Sequence, residues 1–185
     1  FKRNLPGIIR PDVIVTEDGF AVTELDSVPG GFGLTAGLTS LYGGYGSPMV
    51  GEEHGGIPKL FYEMLESVSG ARGCKVALLV SDEAKDYRKE MDHLGNFLKN
   101  KGFPVYLRNP SEVMFKEEGL FVKEPDGEIL IDVIYRFFEL FDLPNVPKSD
   151  LIAYSCKKGR VKVSPPYKAF LEEKLHMRKR WYAER

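Results

Sequence analysis

The first apolar positions of the chain gather in two short runs. Residues 12–16 (DVIVT) and 20–25 (FAVTEL) are β-rich and flank Glu17-Asp18-Gly19, and Asp-Gly between two such runs predicts a hairpin. From Gly33 the spacing turns helical and then dissolves into glycine. Six of the fourteen residues from Gly43 to Gly56 are glycine, which predicts a loop. Leu60, Phe61, Met64, Leu65 and Val68 then recur at a helical period that Gly70 and Gly73 close. KVALLV (75–80) is a continuous apolar run of strand length, the pattern of a strand buried on both faces in a parallel sheet.

The alternation continues downstream. A helix is predicted from Tyr87 to Lys101, with Met91, Leu94, Phe97 and Leu98 on one side and Gly102 as its stop. PVYLR (104–108) reads as a strand. LFVKEP and EILIDVIYRFF flank Asp126-Gly127 and read as a second hairpin. SDLIAYSCKKG (149–159) reads as a short helix with Ser149 as its N-cap. VKVSPP (161–166) is a further strand, and a last helix is expected from Tyr167 to about residue 183. Strands alternating with helices predict an α/β protein with a mostly parallel sheet, entered through an N-terminal β-hairpin segment. A boundary is expected between about residues 45 and 72, in or just after the glycine-rich stretch.

Bulk numbers narrow the classes. The 185 residues suit one domain, or one plus part of another. The net charge of −1 implies no nucleic-acid or anionic-membrane partner, and no apolar run reaches the length of a spanning helix. Cys74 and Cys156 have neither disulfide-scaffold nor zinc spacing and are expected to be core thiols in a reducing cytosol. The chain opens on Phe1 without a signal-peptide pattern, and a fragment or processed product is expected.

Chemistry concentrates at the front. On a strand, residues two apart share a face, so Arg10 pairs with Asp12 and Glu24 with Asp26. If Glu17-Asp18-Gly19 closes the hairpin, the two pairs meet across it. Three converging carboxylates repel unless a cation lies between them, and magnesium takes such hard oxygen ligands. An arginine beside them suits a phosphate. The competing reading is that edge-strand charges simply face water. At the other end of the chain, Arg136 follows the apolar run Ile131–Tyr135. At a strand end it can receive a substrate carboxylate, or it can pair with Glu139 or Asp142.

The succession Arg10-Pro11-Asp12, Asp18-Gly19, Glu24-Leu25-Asp26, Pro29-Gly30 resembles the metal-binding hairpin of the ATP-grasp ligases, of which the D-alanine–D-alanine ligases are one branch. That hairpin usually closes the catalytic domain. Here it precedes the α/β region, an order that resembles the circularly permuted members, which include glutathionylspermidine synthase-like proteins. IDVIYRFFELFDLP (131–144) and VKVSPPYKAFLEEK (161–174) look like the same group. The resemblance implies an ATP-dependent carboxylate–amine ligase working through an acyl phosphate. It implies two Mg2+ ions held by Asp12, Glu24 and Asp26 against the phosphates of ATP, with Arg10 steadying the transferring group. Asp26 stands where the family usually has asparagine. Gly30, Gly31 and the loop beyond would approach the acceptor, a small molecule or a peptide.

The implied organisation is a hairpin and glycine-rich loop over residues 1–56, then a Rossmann-like pre-ATP-grasp domain over 57–185. The rest of the ATP-grasp domain would lie C-terminal to this chain, since no GxxxxGK[ST] phosphate loop occurs within it. The fragment alone is expected to be inactive. The alternative is a non-catalytic α/β binding or scaffold module that uses Arg136 for a small anion or peptide. Of the histidines, His93 is expected to be solvated and His54 a loop bystander. The basic run Lys168 to Arg180 reads as a solvated face or a domain boundary, with Trp181 packing beyond it.

Overall fold

A computed structural model describes residues 5–43 and 55–169. The rest of the glycine-rich loop, with His54, and the predicted last helix from residue 170, with His176 and Trp181, lie outside the described residues.

The predicted hairpin forms from β1 (Arg10–Thr16) and β2 (Gly19–Asp26), paired antiparallel. Helix α1 (Phe32–Tyr42) follows, then α2 (Gly56–Ser69), which ends at Gly70 in a left-handed conformation, as the sequence predicts. Next come β3 (Val76–Val80), α3 (Arg88–Asn100) and β4 (Val105–Arg108). A three-stranded antiparallel sheet intervenes, made of β5 (Met114–Phe115), β6 (Leu120–Glu124) and β7 (Gly127–Leu130). The chain then lays down β8 (Val133–Phe137), α4 (Ser149–Lys157) and β9 (Lys162–Ser164).

The main sheet is parallel throughout, in the order β4-β3-β8-β9. The protein is therefore mixed α/β with a four-stranded parallel sheet. Every residue of β3 and β8 is buried, which is why β3 reads as an unbroken apolar run and β8 as one interrupted only by Arg136. Val76, Leu78 and Val80 point into one core with Phe61, Leu65, Met91, Leu94 and Leu98 from α2 and α3. Ala77 and Leu79 point into a second core with Ile152 of α4 and Val122 of the small sheet. Because β4 lies on one side of β3, and β8 and β9 on the other, the chain reverses its direction of winding between β3 and β8. In open α/β sheets ligands bind beyond the strand ends at such a point.

Three details depart from the expected pattern. The run EILIDVIYRFF divides at Ile131-Asp132: its first half completes the small sheet and its second half enters the main one. The Asp132 carboxylate accepts the Lys75 N–H at 2.8 Å and aligns the starts of β3 and β8. Second, the cap of α4 is Lys148, left-handed at φ 59°, and not Ser149. The Ser149 hydroxyl donates to the Leu143 carbonyl at 3.0 Å, while the Lys148 ammonium donates to the carbonyls of Ser111 and Val113. A charged tether to the segment between β4 and β5 thus fixes the entry to the helix. Third, the edge strand β4 is guarded by charge. Glu124 takes Arg108 and Lys99, and these two cations hold its carboxyl below the usual range although burial pushes it up. No helix among the described residues is long and apolar enough to cross a membrane.

Candidate functional site

The hairpin register sets Arg10 opposite Asp26, Pro11 opposite Leu25 and Asp12 opposite Glu24. Directly opposed residues share a face, so all four charged groups lie on one side, as the spacing predicts. A bulge follows: Val13 pairs with Val22, which leaves Thr23 as the extra residue, and its hydroxyl donates to the Asp12 carbonyl at 3.1 Å. The bulge keeps the charged rung distinct from the apolar one. The other face carries Pro11, Val13, Val15, Phe20, Val22 and Leu25, and Phe20 is 77% exposed.

Arg10 lies among the carboxylates. Its Nη2 is 3.1 Å from Asp26 Oδ2 and its Nε 3.5 Å from Asp12 Oδ1. The side chains of Arg10 and Asp12 are each 48% exposed, so water screens these pairs and each is worth no more than about 1 kcal/mol. Asp26 also accepts the Val28 N–H at 2.8 Å, a local turn that directs the chain off the hairpin. Among the described residues no three His, Cys, Asp or Glu side chains are grouped to hold a metal. The cationic charge beside Asp12 and Asp26 is that of Arg10.

A strap, residues 27–31, carries the hairpin onto the sheet domain. Val28 packs against the α2/α3 core. The Tyr135 hydroxyl of β8 donates to the Pro29 carbonyl at 3.4 Å, and Arg10 Nη1 donates to the Gly30 carbonyl at 3.4 Å. Gly30 is buried against the rings of Tyr87 and Phe137, at the C-terminal end of β8. Gly31 caps α1 at φ 93°, and its N–H donates to the Glu90 carboxylate of α3 at 2.5 Å. Burial, then the nearby Asp26 charge, pushes the Tyr135 phenol far above its ordinary range, so it remains a neutral donor. The Ser27 hydroxyl is buried without a hydrogen-bond partner, as is that of Ser81 at the end of β3.

Helix α1 then packs on α3 through small residues. At Gly33 any side chain would overlap the Glu90 backbone carbonyl. Phe32 stacks on Phe61 of α2 with ring centroids 5.1 Å apart. Sequence reasoning found the Pro-Gly-Gly but missed Gly33, Glu90 and Tyr135. The spacing Gly33, Ala36, Gly37 on one helix face is the signal that announces close helix packing.

Arg136 lies elsewhere and is fully buried. Its Nε donates to the Pro165 carbonyl at 3.0 Å, Nη1 to Phe138 at 2.6 Å and Nη2 to Pro166 at 3.0 Å. The guanidinium serves the backbone that closes the sheet. Beyond the strand ends, burial and the neighbouring Glu83 raise the Asp142 carboxyl above its ordinary range. His93 is exposed, as expected.

Both cysteines are free thiols. Burial pushes Cys156 up to about 12, against the pull of Arg136, and burial raises Cys74 as well. A raised thiol keeps its stabilising contribution below the unfolded-chain value of about 8.5 and loses it as pH climbs towards the folded value. Urea unfolding between pH 8 and 10.5 should therefore show stability falling, by up to about 1.4 kcal/mol per pH unit for each thiol. Cys156→Ser should remove part of that slope, and an unchanged slope would show that the thiol does not contribute to it.

Neither a protein-family model nor a curated protein matches this chain in sequence.

Proposed function

We propose that this chain forms one wall of the catalytic site of an ATP-dependent carboxylate–amine ligase of the circularly permuted ATP-grasp type. In this reading β1 and β2 are the metal-binding hairpin, and the parallel-sheet region is the Rossmann-like pre-ATP-grasp domain. The observation that carries it is the hairpin register: one arginine and three carboxylates share a face, and a glycine strap ties that face to the C-terminal ends of a parallel sheet.

The donor chemistry suits magnesium: Asp12, Glu24 and Asp26 carry hard oxygens on one solvent-accessible face, although their carboxylates are not gathered into a ligand group with Arg10 between them. These three residues would hold the ion. Bound magnesium would supply positive charge against the phosphates of ATP. Arg10 would turn its planar fork from the carboxylates to phosphate oxygens, a geometry guanidinium satisfies better than ammonium does. Gly31, with open space over its Cα, would let the acceptor approach the strap, and Gly30 would back it from its place against the rings of Tyr87 and Phe137. In this reading a nucleotide-gripping half would complete the site from outside this chain, and the protein would work in the cytosol, where free thiols persist.

The test is a manganese titration of the chain with and without ATP, followed by paramagnetic relaxation. Removing one carboxylate charge, in Glu24→Gln or Asp26→Asn, should weaken binding by about tenfold. Equal binding by the wild type and the double variant would remove the hairpin from the chemistry. A second reading, a non-catalytic α/β module, draws on the observation that Arg10 already neutralises Asp12 and Asp26. It predicts no metal-dependent relaxation at all.

A further inference from the structure

Helix α1 begins without the usual devices. Its cap is a glycine, no side chain caps it, and its first turn holds no acidic residue. Yet a helix N-terminus carries unpaired N–H groups and partial positive charge. The carboxylate that answers this comes from α3. Glu90 sits in the first turn of α3, so it already favours that helix's own start, and its Oε1 accepts the Gly31 N–H at the head of α1. One carboxylate serves two helix N-termini.

The same residue also fixes distance. The Gly33 backbone rests on the Glu90 carbonyl with no space for a methyl group. From Glu90 a short path of polar contacts leads to the charged rung: Gly31 to Gly30 along the backbone, the Gly30 carbonyl to Arg10, and Arg10 to Asp12 and Asp26. The hairpin itself contributes nothing buried, since every residue of β1 is exposed. Its orientation against the sheet must come from the segments that flank it: Ile8, packed against the α2/α3 core on the way in, and the strap on the way out.

We propose that Glu90 is the positioning residue of the hairpin: by holding Gly31 it sets where Arg10 and Asp26 stand relative to the strand ends. The inference rests on the ligase reading for its consequence in catalysis, but its geometry can be tested without it.

The experiment is amide hydrogen exchange on the full chain, with Arg10 Nε followed by nitrogen-15 NMR and manganese affinity measured on the same samples. Glu90→Ala should speed exchange at Gly31 by about tenfold or more, the scale of one lost charge-assisted hydrogen bond. It should also shift the Arg10 Nε resonance, with protection in β3 unchanged. Glu90→Gln keeps an acceptor and should restore most of the protection. Glu90→Asp keeps the charge but draws the oxygen back by one methylene. It should behave like alanine, and it decides the matter if Glu90→Ala does not fold. Wild-type exchange at Gly31 and an unshifted Arg10 in the loosened variants would overturn the proposal. So would an unchanged manganese affinity in a chain that binds manganese. If the wild-type chain binds none, the ligase reading fails and the exchange and Arg10 data alone decide the positioning role.

Discussion

Arg136→Met is expected to lower the melting temperature by roughly 10 °C, read by circular dichroism or calorimetry. The reason is what the guanidinium leaves behind. Arg136 sits in β8 opposite Leu79, on a face of the sheet otherwise formed by Ala77, Leu79 and Ile134. Three of its N–H donors meet backbone carbonyls, those of Phe138, Pro165 and Pro166, all within buried residues. The group also lies over the rings of Phe138 and Tyr167, at 5.9 and 5.3 Å. Methionine nearly replaces the volume, so the cavity cost is small. The carbonyls, however, cannot be removed with the side chain. A buried acceptor left unpaired costs about 1–3 kcal/mol, and three are left here, a loss only partly offset because no charge need any longer be kept from water. In a protein of this size each kcal/mol moves the midpoint by about 2–4 °C. Arg136→Lys should recover only part, because one ammonium cannot present donors in a planar fork. A shift of less than 2 °C in Arg136→Met would show that water can replace the guanidinium at the turn.

Gly33→Ala should cost about 2–3 kcal/mol, at the upper end of what one added methyl group does in a packed interior. The obstacle is the backbone of α3 and not a movable side chain, so α1 must lift as a unit. The contrast is four residues on. A Cβ at Gly37 would meet only the His93 ring, at 3.6 Å, an ordinary contact. Gly37→Ala should therefore be neutral or stabilise by up to about 1 kcal/mol through helix propensity alone. Chemical denaturation of the two variants side by side checks both. Equal effects would mean that the α1–α3 contact is looser than the geometry indicates.

The elements legible in the sequence are those in which local pattern and tertiary fate agree. VALLV could hardly be other than a central strand, and the hairpin read at Glu17-Asp18-Gly19 closes there, turning on Glu17-Asp18 with Gly19 opening β2. The shared face of Arg10, Asp12, Glu24 and Asp26 follows from the two-residue period alone. The bulge at Thr23 does not, because nothing in FAVTEL marks the extra residue. The two-residue strand β5 is too short for any period. Arg136 illustrates a deeper limit. An arginine after an apolar run reads the same whether its guanidinium reaches a ligand or a backbone. The choice is made by Pro165 and Pro166, which only the folded sheet brings alongside. Glu90 is similar: in sequence it is one charge in the polar series of RKEMDH, and its partner Gly31 is far upstream.

The main sheet also dictates an order of assembly. β3 pairs with β4, and β8 with β9, each across a helix and roughly 30 positions of chain, the ordinary span of a strand–helix–strand unit. Only the β3–β8 pairing, Val76 beside Val133, joins the two halves, and it spans nearly twice that length. Closing the longer loop requires more chain entropy to be lost before any contact rewards it. The seam between β3 and β8 should thus be the last part of the sheet to form on refolding, and the two flanking units can gather their own helices first.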